Sequence, residues 1–239
     1  MKNFLSLLLL FGLTTIAPAA DFNLSTGGGL YLGGHFTRYS LSSRGPVSSI
    51  DADQNINQFN IGAFAFFDAT WLEVSAGVHT GINNYMESDR ISSAGVQGEK
   101  NDNSGTGQEV MLNFVLLGKY PFTLNERLKL FPLAGIGYQV TLLQNRDGRS
   151  RTNELDVDRN YYTLPFWNAL FVNLGAGMDF TLSSRSFLRT ELIYGIRLQT
   201  GYEADSLEEV KRTVDASSTN LNGLSSGPTL RVAAGWRLR

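Results

Sequence analysis

Leu188-Arg189-Thr190-Glu191-Leu192-Ile193-Tyr194-Gly195-Ile196-Arg197-Leu198 decides the fold. Its even positions, Leu188, Thr190, Leu192, Tyr194, Ile196 and Leu198, carry no charge. Its odd positions hold Arg189, Glu191, Gly195 and Arg197. A period of two is that of a β-strand, whose successive side chains point to opposite faces. The two stripes then have to be assigned to an inside and an outside.

Seven further segments alternate in the same way. Their first stripes include Leu30, Leu32 and Phe36; Phe59, Ile61 and Phe67; Leu72, Val74 and Val78; Leu112, Phe114 and Leu116. They continue with Leu130, Ile136 and Tyr138; Leu170, Val172 and Leu174; and Leu230, Val232 and Trp236. The second stripes hold Gly33, Gly62, Gly77, Gly81, Gly135, Gly137, Gly175, Gly177 and Gly235, with Glu73, Lys119, Asp179 and Arg231. A soluble ligand-carrying barrel would turn the apolar stripe inward and wet the other. Glycine weakens a strand and gains nothing on a wetted face, whereas it makes room inside a narrow barrel. The apolar stripe also lacks charge at its central positions, as a lipid-facing surface requires. The predicted fold is therefore all-β: a single eight-stranded, antiparallel, up-and-down transmembrane β-barrel.

The connections alternate in length. Short ones are expected around Asp68 to Thr70, Pro121 to Arg127 and Ser183 to Ser186. Long polar ones are expected over roughly Leu41 to Gln58, Asn83 to Gln108, Gln144 to Tyr162 and Gly201 to Ser226. Short periplasmic turns and long extracellular loops are the layout of outer-membrane barrels. Phe67, Tyr120, Phe180 and Trp236 fall near the short-turn ends, where an aromatic girdle belongs.

The first residues fit export. Lys2 precedes an apolar run from Phe4 to Leu13, and Ala17-Pro18-Ala19 has the small-x-small pattern of a cleavage site. Residues 1–19 are expected to be a signal peptide and 20–239 the barrel domain. The apolar run is about half the roughly 20 residues of a spanning helix. The chain has no cysteine, which excludes disulfides and thiolate metal sites. With 20 basic and 22 acidic residues and no basic stripe, nucleic acid is not an expected partner.

These strands resemble the small eight-stranded outer-membrane β-barrel superfamily of OmpX-, OmpA- and OmpW-like proteins. The resemblance is architectural, spans about residues 24–239 and rests on no diagnostic motif. It implies a bacterial outer-membrane location, with outer-membrane lipids and the barrel-insertion machinery as partners. It also implies extracellular or host ligands reached through the loops. Members commonly end on an aromatic residue read during insertion; this chain ends Trp236-Arg237-Leu238-Arg239.

Chemistry is sparse in the sequence. His35 and His79, the two histidines, both fall on the inward stripe and read as lumen residues. No spacing specifies a catalytic, cofactor or metal site, and none is assigned. The site with most content is a lumen charge network of Glu73, Asp179, Arg189, Glu191, Arg197 and Arg231. Such a network either fills an eight-stranded barrel or lines a narrow constriction. The functional expectation is a non-enzymatic barrel serving envelope structure or surface interaction. A narrow porin-like channel is the alternative, and a lipid-modifying barrel enzyme the second alternative.

Overall fold

A computed structural model describes residues 23–94, 96–146, 149–152, 168–198 and 218–238. The predicted signal peptide, most of the expected connection from Gly201 to Ser226, and Arg239 lie outside the described residues. Eight long strands form the body: β1 (Leu24–Arg44), β2 (Ser48–Ala69), β3 (Leu72–Ser93) and β4 (Lys100–Lys119). They continue with β5 (Leu128–Arg146), β6 (Asn168–Thr181), β7 (Ser186–Leu198) and β8 (Ser218–Leu238). Two short pieces, Phe122–Thr123 and Arg149–Thr152, add to the two ends of β5.

Each long strand pairs antiparallel with its neighbours in sequence, and β1 pairs with β8, so the ring closes. Closure removes both sheet edges and satisfies the backbone from within, the condition for strands to cross a bilayer. A bulge between Val110 and Met111 shifts the β4–β5 register by one residue.

The stripes divide as the residue types demand. Leu30, Phe59, Val74, Phe114, Ile136, Leu174, Leu192 and Val232 all point outward and are exposed, Leu192 at 59 %. Their inward neighbours Tyr31, Asn60, Glu73, Ser75, Asn173 and Arg231 are buried. On β2 the outward apolar run is Phe59 to Phe67 and gives way to Asn57. That span matches the roughly 9–11 residues a tilted strand needs to cross the hydrocarbon. An exterior of this kind is stable only against lipid, and the architecture is that of an outer-membrane barrel. Trp71, Tyr120, Phe122 and Trp236 stand exposed at the short-turn end, with the Tyr120 and Phe122 rings 4.9 Å apart.

The structure differs from expectation at the other end. The first two long polar segments are not loops. β1 and β2 stay paired to Arg44 and Ser49, and β3 and β4 to Arg90 and Lys100. They project beyond the belt as ladders joined by short turns. The apolar stripe ends there because the outer face meets water instead of lipid, while Ser43, Ile56 and Tyr85 on the inner face stay buried and the backbone ladder persists. The two tips are tied by a hydrogen bond of 2.6 Å from Ala94 N to Val47 O. Across the outer face Arg44 Nη2 meets Asp51 Oδ1 at 2.7 Å.

That hydrogen bond from Arg44 holds the Asp51 carboxyl below the usual carboxylate range, with Ser42 and Arg90 adding to it. A depressed carboxyl contributes stability above its unfolded value and loses it as pH falls through the folded one. The pair is half exposed, so its contribution is small. Carboxyl-carbon NMR should place the Asp51 midpoint below that of a free aspartate, and Arg44→Gln should raise it. Identical midpoints in the two proteins would discard the pairing.

Candidate functional site

The lumen is filled in layers, starting from the short-turn end. Arg189 stands at the centre of the first layer and is 1 % exposed. Its Nη1 donates to Glu73 Oε2 at 2.7 Å and its Nη2 to Asp68 Oδ2 at 2.6 Å. Its Nε and Nη2 grip the two oxygens of Asp179 at 2.7 and 2.8 Å. This fork-on-carboxylate pairing uses the planar geometry that lysine lacks. Lys119 Nζ completes the layer by donating to Asp68 Oδ2. The rings of Phe66, Phe187 and Phe131 surround the guanidinium with centroids 4.7, 5.1 and 5.3 Å away.

Arg231 forms the second layer. Its Nη2 donates to Glu73 Oε1 at 2.9 Å, and its guanidinium lies 3.9 Å from the Phe64 centroid. Glu191 Oε2 sits 3.0 Å from Arg231 Nη1, close enough for an ion pair. Among the described residues neither atom has a partner at hydrogen-bond angles, so this contact is one of charge rather than alignment. Glu73, reached by both arginines, joins the two layers.

Aromatic rings fill the space that the glycines leave. A Cβ on Gly177 would lie 2.7 Å from Phe131 Cζ and 3.0 Å from Glu191 Cγ. A Cβ on Gly235 would lie 2.7 Å from Phe187 Cε2. Leu117, Leu133 and Ile193 pack against Phe131 to seal the cross-section.

Above these layers a chamber of about 40 Å³ is lined from all eight strands, including by His35, His79, Asn113, Asn173 and Arg231. It has room for a few water molecules. Tyr31 stacks on His79 at 4.9 Å, and His35 packs at 5.2 Å from Phe171. A third polar layer roofs the chamber. There Glu109 accepts from Gln144 at 2.8 Å, Gln58 at 3.0 Å and Asn83 at 3.4 Å. Met111, wholly buried, sits beside it with Gln139 Nε2 2.9 Å from its sulfur.

The structure brings together five of the six residues of the expected network: Glu73, Asp179, Arg189, Glu191 and Arg231. Arg197 lies elsewhere. It is eight residues along β7 from Arg189, roughly 26 Å at the rise of a strand, and is buried. Asp68 and Lys119 belong to the network and were not among the expected members. Asp68 falls in the expected short connection, yet it continues the inward series Asn60, Gly62, Phe64, Phe66 by one step. Extending the period to the end of β2 was the signal that would have found it.

Among the described residues no three His, Cys, Asp or Glu side chains converge as a metal site. No family model matches the chain, and no curated protein does. Solved structures resemble it weakly. Ail of Yersinia pestis, in complex with the heparin analogue sucrose octasulfate, is 13% identical over 91% of this chain and 99% of that one, with a TM-score of 0.29. The outer membrane protease OmpT of Escherichia coli is 7% identical over 94% and 99%, with a TM-score of 0.31. The translocator domain of the autotransporter NalP of Neisseria meningitidis is 10% identical over 100% and 95%, at 0.24. At these values the argument for the barrel is its own closed pairing and its apolar exterior.

Proposed function

We propose that the protein is a non-catalytic surface-interaction barrel of the bacterial outer membrane, exported by a signal peptide over residues 1–19. Its filled lumen acts as a rigid post, and its projecting hairpins meet a ligand outside the cell. The observation that carries this reading is the ladder of β1 to β4, which continues well past the apolar belt. Ordered strands held away from the membrane offer a preformed surface, and a preformed surface binds at lower entropic cost than a loose loop. The tip combines exposed Val47 and Val96 with charges of both signs, among them Arg44, Glu99, Lys100 and Asp102.

The alternative, a narrow conduit for small polar solutes, draws its support from the mid-lumen chamber. The charge layers below it and the Glu109 layer above it argue for a closed passage. Reconstituted into planar bilayers, the refolded protein is expected to give no discrete conductance steps. Regular single-channel openings at neutral pH would overturn the post and favour the conduit. A lipid-modifying activity has less support, because His35 and His79 face the lumen and not the bilayer. Exchange of the two hairpin tips, residues 41–52 and 88–102, is expected to abolish attachment of the protein to its ligand-bearing surface while the barrel still folds.

A further inference from the structure

Two of the three turns at the short-turn end repeat one sequence. Phe122-Thr123-Leu124-Asn125-Glu126-Arg127 leads into β5, and Phe180-Thr181-Leu182-Ser183-Ser184-Arg185 leads into β7. The shared pattern is Phe-Thr-Leu-polar-x-Arg. The two turns also share a geometry. Asn125 Oδ1 accepts from the backbone N–H groups of Arg127 and Leu128, each at 2.9 Å. Ser183 Oγ accepts from those of Arg185 and Ser186 at 3.2 and 3.1 Å. Leu124 N donates to Leu128 O at 3.0 Å, and Leu182 N to Ser186 O at 2.9 Å. Each arginine offers its carbonyl to the next strand. Arg127 O accepts from Thr181 N at 2.7 Å, and Arg185 O from Arg237 N at 2.8 Å. In the turn between β2 and β3 the carbonyl in that role belongs to Trp71, which accepts from Lys119 N at 2.9 Å.

Turn formation explains only part of this repeat. The Asn or Ser side chain caps the turn, as such residues do. The arginine contributes its backbone alone. Both guanidinium groups are exposed, and among the described residues neither has an ion pair or a side-chain hydrogen bond. Phe122, Leu124, Phe180 and Leu182 are exposed too. The rings of Tyr120 and Trp236 mark this level as the boundary between hydrocarbon and headgroups. Each turn therefore passes, within six residues, from phenylalanine through leucine to an unpaired cation. On this arc the described residues add one exposed carboxylate, Glu126, while Asp179 is gripped by Arg189. An anionic phospholipid carries the matching order of parts, acyl chain and then negative phosphate.

We propose that these two turns are docking points for anionic phospholipids of the periplasmic leaflet, with phenylalanine and leucine against the acyl chains and arginine on the headgroup phosphate. Arg237 stands beside the second turn but is already engaged, by Thr181 Oγ1 at 2.8 Å and the Ser184 carbonyl at 3.4 Å. The turn that carries Trp71 in place of arginine is the internal comparison, and it should show no headgroup preference.

Quenching of tryptophan fluorescence by brominated lipids, in the full refolded protein, tests this. Trp236 pairs with Ser186 beside the second turn, and Trp71 lies in the turn without arginine. One protein keeps only Trp236, through Trp71→Phe and Trp167→Phe; the other keeps only Trp71, through Trp167→Phe and Trp236→Phe. In mixed vesicles, association at Trp236 is expected to favour phosphatidylglycerol over phosphatidylcholine about fivefold, the contribution of one basic residue near an anionic surface. Trp71 should show no preference. Arg185→Gln keeps the backbone carbonyl and should erase the preference at Trp236. Arg38→Gln, which removes an exposed cation at the other end of the barrel, should leave it intact. Phe122→Trp as the sole tryptophan reads the first turn, where Arg127→Gln should act in the same way. Millimolar inorganic phosphate at constant ionic strength should change neither ratio. No preference at Trp236 overturns the proposal, as does an equal preference at Trp71. A preference that survives Arg185→Gln removes the turn as its site, and one erased by inorganic phosphate overturns the headgroup in favour of a free anion.

Discussion

Arg189→Ala is expected to lower the unfolding free energy of the refolded barrel by about 3–5 kcal/mol. Three carboxylates, Asp68, Glu73 and Asp179, depend on this one guanidinium. Removing it leaves their charges buried together, with Lys119 to serve Asp68 and Arg231 to serve Glu73. The deletion also empties the space enclosed by Phe66, Phe131 and Phe187. Arg189→Lys should recover only part of the loss. A lysine is a point charge and cannot grip Asp179 with two nitrogens while reaching Glu73. Urea titration in lipid vesicles reads the effect, provided the denaturant slope is unchanged. A loss under about 1 kcal/mol would mean that the network contributes little and that the rings alone hold the lumen.

Leu192→Arg is the second large effect. Leu192 lies in the middle of the β7 belt, flanked on the same face by Leu230 and Ala176. An arginine at the bilayer midplane costs about 2–4 kcal/mol in a barrel wall. The same change at an exposed position of a projecting ladder, Ser40→Arg, should cost next to nothing. The contrast separates a lipid-facing stripe from a wetted one, because both positions are solvent-accessible when lipid is ignored. Equal stability of the two variants in vesicles would invert the assignment of the stripes.

Much of the fold was legible because lipid and lumen impose opposite demands on alternate residues. On β7 the contrast of Leu192 with Glu191 places both faces without further information. Above the belt the contrast fades, and the stretch from Leu41 to Gln58 reads as loop for that reason. The network was legible in part. Arg189, Glu191 and Arg231 stand out as charges on otherwise apolar strands, but period alone does not say how far along the barrel each one sits. Arg197 shares the face of Arg189 and not its depth. Asp68 was hidden by its nearness to the turn at Thr70, where a polar residue needs no special explanation.

The ring of Phe131 resting on the bare backbone of Gly177 has a consequence for how this lumen tolerates change. Volume there is a property of the cross-section and not of any residue. A side chain gained on one strand must be given up on the strand facing it. Positions 131 and 177, like 187 and 235, are therefore single choices written across two strands. The permissible sequences of the lumen are fewer than its freedom at any one site would imply.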